Sequence, residues 1–69
     1  MTARYEVAIY NAEVRRLVYT GDHHRDLADS WSETHYVEVV AENADRARAK
    51  IFNRYPRDRG FVIEAVKEA

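Results

Sequence analysis

Between residues 34 and 66 the spacing of the apolar side chains changes twice, from two to about 3.6 and back to two. Alternation at period two marks a half-buried strand, and a period of 3.6 marks a one-sided helix. In residues 34–41, His35, Val37, Val39 and Ala41 share one face, and Tyr36, Glu38 and Val40 share the other. Asn43 is a good N-cap, and Asp45 puts an acid in the first turn, where the helix dipole favours one. Ala44, Ala47, Ile51 and Tyr55 then form a single stripe with Phe52 at its edge, until Pro56 ends the helix. Residues 61–66 return to alternation, with Phe61, Ile63 and Ala65 facing one way and Val62, Glu64 and Val66 the other. A strand–helix–strand crossover is right-handed as a rule and leaves its two strands parallel.

Upstream, residues 4–10 alternate as well: Tyr5, Val7 and Ile9 against Arg4, Glu6, Ala8 and Tyr10. Residues 11–21 admit two readings. Asn11 as N-cap, Glu13 in the first turn, Val14, Leu17 and Val18 on one face and Gly21 as stop describe a short helix. The β-branched and aromatic residues near Thr20 describe a hairpin strand instead. The helix is favoured. Residues 22–33 are polar, with Leu27 and Trp31 the only large apolar side chains, and a connection of that length often contains a turn of helix.

The expected fold is therefore one α+β domain over residues 1–69, in the order β-α-β-α-β. Its three-stranded mixed sheet carries one main helix on one face, and the first strand runs antiparallel to the other two, between them.

A chain of 69 residues has a thin core. With no cysteine, disulfides and thiolate zinc sites are excluded, and no specific cofactor is indicated. Eleven basic against twelve acidic residues argue against a general polyanion binder. No apolar run approaches the roughly 20 residues of a membrane span, and residues 1–10 lack the apolar core of a secretory signal. A cytoplasmic location is the default expectation.

The sheet face away from the main helix is the first functional candidate. It would show Arg4, Glu6, Ala8, Tyr10, Tyr36, Glu38, Val40, Val62, Glu64 and Val66. That mixture is too apolar for a plain solvated face and too acidic for a core. Contiguous apolar area with a polar rim marks contact sites. The first helix and the Trp31 loop could instead fold over part of it. Tyr10, Tyr36, Glu38 and Trp31 are the expected interaction residues, for a protein partner or a second copy of the chain. The acids argue against nucleic acid at this face, although Tyr10 and Tyr36 could stack bases.

Two further clusters carry alternatives. Arg46, Lys50 and Arg54 recur every four residues, and Arg57 and Arg59 extend them, which could hold phosphates. A solvated charged face is the plainer account of them. His23, His24, Asp26 and His35 carry metal-ligating groups, but their spacing matches no metal signature. Ser30 and Ser32 lie near His35 without the glycine-bounded elbow of a nucleophile. With only Gly21 and Gly60, no phosphate-binding loop can be built. The sequence thus points to a non-catalytic protein-interaction domain, with nucleic-acid association or a metal-dependent activity as alternatives.

Overall fold

A computed structural model describes residues 1–69. The elements are β1 (Ala3–Asn11), α1 (Ala12–Tyr19), β2 (His35–Ala41), α2 (Ala44–Arg54) and β3 (Phe61–Glu68), with short 3-10 turns at Asp29–Ser32 and Arg57–Arg59. The α+β fold and the β-α-β-α-β order agree with the sequence. The sheet order is β2-β1-β3. Both outer strands pair antiparallel with β1. They therefore run in the same direction yet never pair with each other, so every ladder is antiparallel and the sheet is not mixed.

Each helix begins where its sequence signal places it. Asn43 Oδ1 accepts from the Arg46 N–H at 2.9 Å. Asn11 Oδ1 accepts from the Val14 N–H at 3.0 Å, which resolves residues 11–21 in favour of the helix. The end of α1 is equally determined. Gly21 adopts φ +82°, its N–H reaches the Val18 carbonyl and the Asp22 N–H reaches that of Leu17. This pair of bonds is the Schellman arrangement, which satisfies carbonyls that a helix end otherwise leaves open.

The core lies between the sheet and α2. Val7, Ile9 and Ala41 from the sheet meet Ala47 and Ile51 from α2. Burying each of the larger aliphatics stabilises the fold by about 1.5–3 kcal/mol. Only nine residues are buried, so the core needs extension. The loop before β2 supplies it. Trp31 stacks on His35 with ring centroids 4.1 Å apart and meets Phe61 edge-on at 5.2 Å and Tyr55 at 5.3 Å. Such aromatic pairs add about 0.5–1.5 kcal/mol each beyond area burial.

One face assignment is corrected. Ala8 pairs with Ala65, but Ile9 pairs with Ile63, so Glu64 is an extra residue in β3. A bulge of this kind shifts the alternation by one. Val66 consequently packs against the core, while Ala65 is exposed beside Glu64.

Candidate interaction face

The bulge and the two ladders lay out the outer face as rows across β2, β1 and β3. Val40 lies beside Arg4. Glu38, Glu6 and Lys67 form the next row, then Tyr36, Ala8 and Ala65, and finally Tyr10 beside Val62. The Ala69 N–H donates to the Arg4 carbonyl at 2.8 Å, so the backbone groups of Arg4 point toward β3. Arg4 and Val40 are then a non-hydrogen-bonded pair, and so are Glu6 with Glu38 and Ala8 with Tyr36 at the same alternation. In such pairs the two side chains stand closest together.

Two carboxylates directly opposite each other destabilise a sheet. Glu6 and Glu38 are tolerated because each has a cation nearby, Arg4 diagonally across from Glu38 and Lys67 opposite Glu6 on β3. Arg4 Nε lies 3.8 Å from Glu38 and Lys67 Nζ lies 3.9 Å from Glu6. Exposed pairs at that distance contribute little by themselves. Their effect here is to border the two acids with bases, Arg4 along β1 and Lys67 on β3, instead of leaving a bare acidic patch. The third acid, Glu64, accepts a hydrogen bond from the Thr34 hydroxyl across β1.

Below this row the face holds a shallow depression of about 440 Å³ floored by Ala8 and Ala65 and walled by Tyr36, Thr34, Glu64, Glu6 and Lys67. Tyr36 is 67 % exposed and Val40 50 %. At the opposite end the chain covers its own surface. The Arg15 guanidinium lies 3.5 Å over the Tyr10 ring, and Arg15 Nε donates to the Ser32 carbonyl at 2.8 Å. The chain thus covers part of the face, as α1 closes the Tyr10 end, while Tyr36 and Val40 stand exposed.

Of the four expected interaction residues, Tyr10, Tyr36 and Glu38 lie on this face. Trp31 does not, because it packs into the core side of the sheet. Lys67 and Ala65 belong to the face; strict alternation put Ala65 on the other side, and Lys67 lies beyond the strand expected from the sequence. A signal for them exists in the sequence. With unbroken alternation Lys67 would point into the core beside Ala65, while Val66 would point outward. A slip of one residue after Ile63 corrects all three.

The free edge of β2 is partly closed. Backbone groups of Tyr36, Glu38 and Val40 face away from β1, and Lys50 Nζ donates to the Val40 carbonyl at 2.6 Å. Lysine at an exposed edge discourages pairing with another strand.

The structure separates the other candidates. His24 Nδ1 accepts from the Asp26 and Leu27 N–H groups at 3.0 and 3.1 Å. Its proton is therefore assigned to Nε2, which faces Glu13 Oε1 at 3.2 Å. Both nitrogens are engaged. His23 Nδ1 pairs with Asp29 at 2.8 Å, which raises the imidazole pKa above its ordinary value, first through that hydrogen bond and then through the carboxylate charge. His35 Nε2 donates to the Ser30 backbone carbonyl, not to its hydroxyl. No three His, Asp or Glu side chains converge on a point that could hold a metal ion. His23, His24 and Asp26 line one cleft with Glu13 and Arg59, while His35 lies apart, stacked on Trp31.

Arg46, Lys50 and Arg54 do lie exposed at four-residue spacing along α2, but Arg57 and Arg59 do not simply extend that stripe. Lys50 is committed to the β2 edge, Arg57 lies 5.8 Å from the Phe52 ring centroid, and Arg59 lines a separate cleft with His24 and Glu13. Charge is nonetheless segregated along the chain. Residues 44–60 hold six bases and two acids, leaving five bases and ten acids for all the others.

Comparison with protein-family models, curated proteins and solved structures finds no match for this chain. No helix is long and apolar enough to cross a membrane.

Proposed function

We propose that the protein is a non-catalytic interaction domain that associates with itself through the outer face of its sheet. The supporting observation is the position of Tyr36. It stands 67 % exposed beside an alanine-floored depression, on a face that the Trp31 loop leaves open. A large aromatic exposed next to a small-residue depression is the combination from which interface anchors are built. The engaged nitrogens of His24 and the separation of His35 from the serine hydroxyls favour binding over catalysis.

The face measures about 15 by 25 Å, from three strands at about 4.8 Å spacing. Covering it removes roughly 500 Å² per copy, near the lower limit of specific interfaces. Sedimentation equilibrium of the chain and of Tyr36→Asp tests this. The unsubstituted chain is expected to dimerise and the variant to stay monomeric at the same concentration. Dimerisation that ignores Tyr36→Asp would refute the assignment.

A second reading rests on the charge segregation. The α2 side of the molecule, with Arg46 and Arg54 exposed, would attract a polyanion. Fluorescence anisotropy with a labelled oligonucleotide should then show binding that weakens steeply with added salt. An absence of binding at low salt would eliminate it.

A further inference from the structure

Two rows of the outer face have flanks that complement each other about an axis along β1, and this extends the self-association proposed above. In a symmetric dimer of two packed sheets the two-fold axis lies in the interface, and each patch meets the patch on the opposite side of that axis. Consider the axis along β1. The β2 column of one copy then covers the β3 column of the other. Glu38 faces the partner copy's Lys67, and Tyr36 faces Ala65 of that copy. An acid meets a base and a large aromatic meets a small side chain, twice each. Ala8, on the axis, meets its own counterpart, and two alanines allow the sheets to approach.

Edge pairing through β2 offers no such match. It would leave Lys67, on the far strand, away from the junction, and Lys50 already occupies the Val40 carbonyl on that edge. We infer that the protein forms a face-to-face dimer whose two-fold axis runs along β1, with Glu38 of each copy paired to Lys67 of the other. The occupant of the open face is therefore a second copy of this chain, selected by charge order. The same geometry brings the two Glu6 side chains together at the axis, where like charges oppose association.

The test is a charge exchange read by sedimentation equilibrium, with circular dichroism melts to confirm folding. Glu38→Lys removes two attractive pairs and creates two repulsive ones, so the dissociation constant should rise about tenfold or more. The fold is expected to persist, because a lysine at position 38 would lie opposite Glu6 and only the exposed 3.8 Å contact of Glu38 with Arg4 is lost. The combination of Glu38→Lys with Lys67→Glu should restore affinity to within about threefold of the original. Glu6→Gln should strengthen the dimer severalfold. If Tyr36→Asp dissociates the dimer but the exchange does not restore binding, the axis is wrong while the outer face remains the interface. A chain that stays monomeric, or a dimer indifferent to Tyr36→Asp, overturns both.

Discussion

Asn11 Nδ2 donates to the carbonyl of Arg59 at 3.1 Å, joining residues 48 positions apart. Its Oδ1 simultaneously caps α1, and the side chain is wholly buried. The Ala12 N–H adds a bond to the Gly60 carbonyl at 2.8 Å. One amide thus fixes the start of the first helix to the turn before the last strand. Asn11→Ala removes the cap and leaves the Arg59 carbonyl without its partner. A loss of about 2–3 kcal/mol in urea-induced unfolding is expected.

The two glycines should respond differently to alanine, although both have positive φ. A Cβ at Gly21 meets nothing within 4 Å, so Gly21→Ala carries only the left-handed backbone penalty of about 1 kcal/mol. At Gly60 it would lie 2.9 Å from Glu13 Cγ and 3.0 Å from Asn11 Oδ1. Gly60→Ala should therefore lower the melting temperature clearly more than Gly21→Ala. Equal shifts would show that the Asn11 junction yields easily.

Trp31→Ala separates an anchoring role from a binding one. It removes the ring that touches His35, Tyr55 and Phe61, at a cost of about 2–3 kcal/mol for a half-buried side chain. The dimer dissociation constant, measured under conditions where the variant is folded, should be nearly unchanged. A large loss of affinity would place Trp31 in the interface after all.

His23 provides a pH-dependent signal. Its pKa is raised in the folded chain by the Asp29 hydrogen bond. Stability from this pair is fully present below the unfolded value of about 6.5 and is lost as pH rises through the folded value. An NMR titration should place His23 above the ordinary range, and Asp29→Asn should return it there. A midpoint unaffected by that substitution would show that the pair does not form in solution.

Lys50→Ala should leave the melting temperature almost unaltered and raise the tendency to aggregate. The Val40 carbonyl would be freed on an edge whose Tyr36 and Glu38 backbone groups also face outward. Light scattering at high protein concentration measures it, and scattering equal to that of the unsubstituted chain would deny the lysine this protective role.

Much of the fold could be read from residue order because its signals are local. Asn43, Asp45 and Pro56 bound α2 within one or two residues, and Asn11 and Gly21 bound α1. The bulge was harder, since it depends on which residue of β1 lies opposite Glu64. Only the misplaced lysine at position 67 betrays it. The candidate face was legible through Tyr36, Glu38 and Tyr10, which alternate regularly in β1 and β2. The side of the sheet that Trp31 covers was not legible, because a loop side chain carries no periodicity to say which side it will take. The pairing of His24 with Glu13 likewise joins two segments whose approach no local pattern announces.

The position of β1 between β2 and β3 has a temporal consequence. It is the first strand to be synthesised, yet both of its partners come later, from residue 35 onward and from residue 61 onward. No ladder of the sheet can form on the growing chain until β2 emerges, and one side of β1 remains bare until the last eight-residue strand arrives. Val7 and Ile9 therefore stay uncovered until α2 emerges, and residues 61–68 supply the last ladder of this sheet. A nascent chain halted before residue 61 presents an open central strand, and completion of β3 withdraws that strand from competing partners.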